Sequence, residues 1–195
     1  SQGSSGVSEP LVTPVADPRR GSLLVATPLL EDPNFRRSVI FVIEHGSEGS
    51  LGVVLNRPWT RSSEPPLPEW LAKEVILPKV YVGGPVQPDA VLALVPSSAD
   101  LPGGSKITEQ VSMLDLEVET GMSEEHLELV RFYCGYSGWS PGQLRLEIEE
   151  GAWWTFDSSL EEFLCDPSDC WRTVLARQRS AASLLSIYPD QAYMN

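Results

Sequence analysis

Short apolar runs separated by turn residues recur along the chain, and this pattern predicts many short strands. The longest run, Ser38 to Glu44, holds five consecutive apolar residues rich in β-branching, as expected for a strand covered on both faces. A glycine-containing turn leads from it into a second apolar run, Leu51 to Asn56, so the two runs predict a hairpin at the centre of a sheet. We predict further strands after Gly21, with an interruption at Pro28, and at Val80–Val82, Val91–Val95, within Ile107–Val118 and at Trp153–Phe156.

Helical periodicity is clearest between Met122 and Cys134. Ser123 is the predicted N-cap, two glutamates occupy the first turn, where the helix dipole favours acidic groups, and Gly135 is expected to end the helix. Further helices are predicted at Pro68–Val75, from Ser140 to near Gly151, at Ser158–Leu164 and at Ser168–Arg177. The chain therefore combines strands and helices, with a short helix or strand every ten to twenty residues or so.

The composition indicates one folded domain preceded by a polar arm. The first 18 residues are mostly Ser, Gly, Pro and small polar residues without periodicity, so we expect residues 1–18 to be a disordered arm. The remaining residues, 19–195, match the length of a single domain. Neither a signal-peptide core nor a run of about 20 apolar residues is present, which predicts a soluble, cytoplasmic protein with no membrane contact.

The charge of the chain is unevenly distributed. The formal net charge is −13, and the acidic excess lies between Glu109 and Asp169, where Arg131 and Arg145 are the only basic residues. In contrast, four arginines flank the two central apolar runs, and we expect any bound anion there: Arg36, Arg37, Arg57 and Arg61. For Arg36, Arg37 and Arg57, however, the favoured interpretation is internal pairing with Glu31, Asp32 or Glu44.

Local spacing assigns neither a metal site nor a catalytic group. Three cysteines and two histidines occur without a CxxC motif, so no metal and no cofactor is predicted. His45 ends the central run and could act as a general base, but a hydrogen bond to the turn is the simpler and favoured interpretation of a strand-end histidine. Cys134 is a core residue or, alternatively, a nucleophile paired with His45. Cys165 and Cys170 are close enough in sequence to form a disulfide, but two partly buried thiols are favoured.

Several motifs together carry a family resemblance. They are F-x-x-S-V, E-H before a glycine turn and L-N-R-P within Gly21–Pro58, G-G-P-V within Tyr81–Leu94, and G-W-x-x-G-Q-L within Tyr133–Trp154. In this order they closely resemble the bacterial YqgE/AlgH family. The resemblance implies a single α+β domain whose branched, mixed or antiparallel sheet is partly barrel-like and surrounded by helices. The biochemical function of the family is not established, and the label of transcriptional regulator that some members carry implies an effect on gene expression.

The family offers motif positions rather than assigned catalytic residues. The matched positions are Pro33, Phe35, Ser38, Glu44, His45, Gly52, Asn56, Arg57, Pro58, Gly83, Gly84, Pro85, Gly138, Trp139, Gly142 and Gln143. Backbone geometry accounts for most of the glycines and for the tryptophan. It does not account for Glu44, His45, Asn56 and Arg57, and with Arg36 and Arg37 these form the predicted binding edge.

Three functional hypotheses follow. The first is a non-enzymatic regulatory or binding module that recognises a protein partner or a small anionic ligand at this edge. The second is an enzyme that uses His45, with or without Cys134. The third, direct DNA binding, is opposed by the acidic composition, by the absence of a helix-turn-helix signature and by the presence of only three lysines.

Overall fold

The structure, a computed structural model, describes residues 17–73, 77–118 and 121–178. The predicted arm therefore lies outside the described residues except for Asp17 and Pro18, and so do residues 179–195 of the predicted domain. Within the described residues, nine strands form a single sheet. They are β1 (Ser22–Ala26), β2 (Val39–Gly46), β3 (Gly49–Val54), β4 (Lys79–Val82), β5 (Val86–Val95), β6 (Gly104–Thr108), β7 (Val111–Leu114), β8 (Arg131–Trp139) and β9 (Trp153–Asp157).

The sheet is mostly antiparallel, and it branches at β8. Its main path runs β6-β7-β5-β8-β3-β2-β1-β9, which places the predicted hairpin β2–β3 near the middle. One edge of β8 pairs with β3 through residues 137–139 and with β4, in parallel, through residues 131–134. The other edge of β8 pairs with β5 in antiparallel fashion. β8 thus joins strands from both halves of the sequence.

The helices are few and short. They are α1 (Glu124–Leu127), α2 (Gln143–Glu149), α3 (Glu161–Leu164), α4 (Cys170–Arg177) and a 3-10 helix at Glu69–Lys73. The molecule is a single α+β domain in which the sheet predominates, so the expectation of a sheet surrounded by helices is not confirmed. In residues 17–73, 77–118 and 121–178, no helix is both long enough and apolar enough to cross a membrane.

The helix predicted between Met122 and Cys134 is wrong for most of its length. Ser123 does cap a helix, since its side chain accepts a hydrogen bond from the backbone N–H of His126, but α1 ends after a single turn. The chain then enters β8, whose first residues are buried between the neighbouring strands. Gly135 does not stop a helix. It has φ +76° inside β8, where an added Cβ would lie 2.4 Å from the carbonyl oxygen of Gly84.

The central hairpin is covered on both faces, as its apolar run predicts. Val39, Phe41 and Ile43 of β2 pack into one core cluster, together with Trp171 and other buried residues of α4. Ile40 and Val42 point to the opposite side and pack with residues of α2. Burial of each such side chain contributes about 1.5–3 kcal/mol to the free energy of unfolding. This packing fixes α4 against one face of the sheet, near the start of β2 and the end of β3.

Candidate functional site

Four of the six residues of the predicted binding edge meet in one pocket. The pocket has a volume of about 220 Å³ and lies between the segment before β2, the segment after β3 and the start of α4. We call it the arginine pocket, and its lining residues are Arg36, Arg37, Asn56, Arg57, Pro167, Ser168, Trp171 and Arg172. Antiparallel pairing of β2 with β3 explains why Arg37 and Asn56 are neighbours, because the start of one strand lies beside the end of the other.

Asn56 holds the two strand-flanking segments together. Its Oδ1 accepts a hydrogen bond from the backbone N–H of Val39 at 3.0 Å, and its Nδ2 donates to the carbonyl oxygen of Arg37 at 2.9 Å. Arg37 has φ +56°, a left-handed conformation that is uncommon outside glycine and occurs more often at functional sites. Asn56 therefore positions the pocket arginines rather than presenting its own amide to a ligand.

Arg57 is a partly desolvated cation inside the pocket. Its Nη2 donates to the carbonyl oxygen of Arg36 at 2.8 Å, and its Nε is buried without a hydrogen-bond partner in the described structure. Burial lowers the pKa of Arg57 below its usual value, and the nearby charge of Asp32 partly opposes this effect. An arginine remains protonated at neutral pH, so a poorly hydrated positive charge faces whatever enters.

Helix α4 supplies the other wall of the pocket. Trp171 is 3% exposed, and its indole Nε1 donates to the carbonyl oxygen of Ala26 at 2.8 Å, which anchors the helix to the end of β1. The guanidinium carbon of Arg37 lies 5.1 Å from the centre of the Trp171 ring, a cation–π arrangement that helps to fix the arginine. Arg172 is exposed at the rim. Sequence reasoning missed both α4 residues because no local signal shows where a C-terminal helix will dock.

The pocket can form several charge-assisted hydrogen bonds with one anion. Four arginines line it, and a guanidinium group is a planar set of N–H donors that matches a carboxylate or phosphate. Its volume is below the range of roughly 300–1,000 Å³ that is typical of small-molecule sites, so it fits a single anionic group better than a whole metabolite. Among the described residues, no group of three or more His, Cys, Asp or Glu side chains is arranged to hold a metal ion.

Glu44 and His45, the other two residues of the predicted edge, do not line this pocket. They pair with Leu51 and Ser50 close to the turn of the β2–β3 hairpin, whereas Asn56 contacts the start of β2 at Val39. Five residues of strand separate the two positions, or roughly 17 Å at about 3.3 Å per residue. His45 is exposed, and its Nδ1 lies 2.6 Å from the hydroxyl of Ser50, so it makes the local hydrogen bond that was its simpler interpretation.

The structure also keeps His45 away from Cys134. His45 is opposite Ser50 of β3, and Ser50 is opposite Trp139 of β8. Cys134 lies five residues before Trp139, again roughly 17 Å along the strand. Cys134 is 1% exposed, and burial raises the pKa of its thiol. It is a core residue, as favoured, but on a strand instead of a helix face.

Comparison with known proteins assigns the family. The model of the AlgH-like family matches residues 23–183, most of the chain. The chain belongs to the AlgH-like family. The resemblance inferred from the motifs is thereby confirmed. A UPF0301 protein of Thermobifida fusca is 41% identical over 188 residues, covering 90% of this chain and 94% of the relative. A UPF0301 protein of Mycobacterium tuberculosis is 42% identical over 178 residues, covering 88% of each chain.

Two solved structures resemble the fold. A crystal structure of a protein from Corynebacterium diphtheriae superposes with a TM-score of 0.75 at 28% identity, covering 89% of this chain and 94% of that one. The solution structure of the AlgH protein from Pseudomonas aeruginosa gives a TM-score of 0.62, also at 28% identity, with coverages of 86% and 93%. The single-domain fold is therefore one that relatives share.

Trp139 and Gln143, two of the matched motif positions, have structural roles in this chain. In the G-W-x-x-G-Q-L motif, the side chain of Gln143 accepts from the backbone N–H of Ser140 at 2.9 Å. The indoles of Trp139 and Trp153 donate to the same carboxylate oxygen of Glu147, at 3.1 and 3.0 Å. The L-N-R-P motif differs, because its Asn56 and Arg57 border the arginine pocket.

Proposed function

We propose that the protein is a non-enzymatic binding module that recognises a small anionic ligand, through a carboxylate or phosphate group, in the arginine pocket. The observation that carries this proposal is that four arginines from three chain segments line one pocket, in a chain of net charge −13. The small volume suits one anionic group, so the remainder of a larger ligand would lie outside.

The alternatives have less support. An enzyme using His45 with Cys134 lacks the required proximity, since His45 is level with Trp139 of β8 and Cys134 lies five residues earlier on that strand. A duplex-binding surface needs many dispersed phosphate contacts, whereas the arginine pocket is compact and the rest of the chain is acidic. A protein partner could place an anionic group in the same pocket. Unlike a small ligand, such a partner would also bury surface around the rim of the pocket. A regulatory role and a cytoplasmic location remain predictions.

Calorimetric titration at low ionic strength tests the proposal, with inorganic phosphate and succinate as probes. The informative variant is Arg172→Ala, because this exposed rim residue can be removed without disturbing the core. We expect about tenfold weaker binding or more, since a charge-assisted hydrogen bond contributes about 1.5–3 kcal/mol and about 1.4 kcal/mol is a factor of ten.

The matched control is Arg145→Ala, which removes an equal charge from α2, where Arg145 pairs with Asp17 at 2.8 Å. This control should bind the probe with the affinity of the wild type. An equal loss of affinity in both variants would show that the net charge of the protein, and not the pocket, determines binding. It would therefore contradict a binding site at the pocket. If neither probe binds at millimolar concentration, the small-ligand proposal fails, and an anionic protein partner becomes the hypothesis to pursue.

A further inference from the structure

Two cysteines, Cys165 and Cys170, face each other across the short connection between α3 and α4. Cys165 directly follows α3, and Cys170 is the first residue of α4. Their Sγ atoms lie 3.6 and 3.7 Å from the same carbonyl oxygen, that of Glu162. Both are free thiols. The two sulfur atoms are therefore directed toward one point, although nothing in the sequence pattern requires it.

A hydrogen-bonded turn holds this arrangement. The backbone N–H of Asp169 donates to the carbonyl oxygen of Asp166 at 3.0 Å, and the backbone N–H of Ser168 donates to the Asp166 side chain at 2.9 Å. The turn reverses the chain, so that the start of α4 returns to the end of α3. Disulfide formation requires such proximity of the two Cβ–Sγ bonds.

The two thiols differ in solvent exposure and in pKa. Cys165 is half-buried, whereas Cys170 is 1% exposed. A hydrogen bond from the Cys170 thiol lowers the pKa of Cys165. Burial and the nearby charge of Glu162 oppose this effect, and the charge of Arg177 adds to it. The same hydrogen bond and its burial raise the pKa of Cys170. Cys165 is thus the accessible, more acidic thiol, and Cys170 is the protected neighbour.

We infer that Cys165 and Cys170 form a dithiol site that hydrogen peroxide oxidises to an intramolecular disulfide. The thiolate of Cys165 attacks one oxygen of the peroxide, and the O–O bond breaks. Hydroxide leaves and takes up a proton to become water, while Cys165 becomes a sulfenic acid. The sulfur of Cys170 then loses its proton and attacks Sγ of Cys165, so that the S–S bond forms as the S–O bond breaks and a second water leaves. Two thiols together lose two electrons, and one peroxide is reduced to two waters.

Intact-mass analysis of the full chain tests this inference. The protein is treated with a small excess of hydrogen peroxide, unfolded, and alkylated with N-ethylmaleimide. We expect one alkylated cysteine, Cys134, where the reduced chain shows all three, together with a cross-linked peptide joining Cys165 to Cys170. Reduction with dithiothreitol should restore three alkylation sites. A result of three alkylated cysteines after peroxide, or of disulfide-linked dimers, would overturn the inference.

Single substitutions separate the two roles. Cys170→Ser should leave Cys165 as a sulfenic acid that dimedone traps, because the second thiol is missing. Cys165→Ser should slow oxidation of Cys170 by about tenfold or more, since the remaining thiol is buried and less acidic. Cys134→Ser is the matched control and should still form the disulfide. Equal dimedone labelling of Cys165 and Cys134 would contradict the assigned difference in reactivity. The outcome does not depend on whether the arginine pocket binds an anion.

Discussion

One amide side chain, that of Asn56, sets the geometry of the arginine pocket. It bonds to the backbone on both sides of Ser38, at Arg37 and Val39, and so keeps Arg37 in its left-handed conformation. The carbonyl oxygen of Arg36, one residue earlier, accepts from Arg57. A short network of side chain to backbone hydrogen bonds thus orients three of the four pocket arginines.

Replacing Asn56 with alanine should destabilise the protein. Two partly buried backbone groups lose their partner, and each unsatisfied buried group costs about 1–3 kcal/mol. Urea unfolding followed by circular dichroism measures the change in the free energy of unfolding. Asn34→Ala, at an exposed position of the preceding turn, is the control and should change it by less than about 0.5 kcal/mol. Equal stability of the two variants would show that the Asn56 bonds are dispensable.

Glu147 is a second residue whose role the structure reveals. Its carboxylate accepts from Trp139, Trp153 and Gln143, so it fixes two indoles at the contact of α2 with the sheet. We expect Glu147→Leu to lower the free energy of unfolding by about 1.5–3 kcal/mol, the range for hydrogen bonds to a charged group. Tryptophan fluorescence during urea unfolding measures this loss. Glu149 is exposed on the same helix, so Glu149→Leu should leave the urea midpoint of unfolding nearly unchanged. Similar losses of stability in the two variants would show that the hydrogen bonds from the indoles to Glu147 do not stabilise the fold.

Among the elements, α4 contributes both to the arginine pocket and to the dithiol site. Pro167 and Ser168 line the pocket, and they lie between Cys165 and Cys170 in the sequence. Closing the disulfide is expected to shift this segment and to weaken phosphate binding several-fold. Calorimetry of the reduced and peroxide-treated protein measures the difference, with Cys165→Ser treated in parallel as the control. Unchanged affinity in a fully disulfide-bonded sample would show that the two sites are independent.

The sequence predicts an element correctly where the local pattern of apolar and turn residues determines it. Five consecutive apolar residues and a following turn suffice to predict β2–β3, whose pairing brings Arg37 beside Asn56. The β8 strand was missed because residues 122–130 carry helical signals, while the strand depends on β3, β4 and β5, which are distant in sequence. The pocket residues of the hairpin flank the open end of β2 and β3, whereas Glu44 and His45 lie near its turn. Residue type alone does not show at which end of a hairpin a side chain lies.

For the molecule as a whole, the buried hydroxyl of Tyr133 links stability to alkaline pH. Burial raises the pKa of Tyr133 well above its usual value, and the neighbouring Tyr81 adds to the shift while Arg131 opposes it. The neutral form is therefore favoured in the folded state. Above about pH 10 the unfolded chain loses this proton first, so the free energy of unfolding falls as pH rises toward the raised pKa.

Replacing Tyr133 with phenylalanine tests this linkage. The variant keeps a ring to stack on Tyr81, whose centre lies 5.4 Å away, but it has no proton to lose. Urea unfolding between about pH 9 and pH 11 should show a smaller loss of stability in the variant than in the wild type. Identical slopes of stability against pH would contradict a role for the Tyr133 hydroxyl.

At the scale of the whole molecule, a chain of net charge −13 places four arginines around one small pocket, and we propose that this pocket binds an anion. Two-dimensional amide NMR of the labelled protein, titrated with inorganic phosphate at low ionic strength, tests whether an anion binds at this pocket. We expect saturable shifts confined to the amides of residues 36–37, 56–57 and 168–172 and to the indole of Trp171, and weaker shifts as salt screens the charges. Shifts scattered over other arginines, or none in these segments at saturating phosphate, would contradict binding at the pocket.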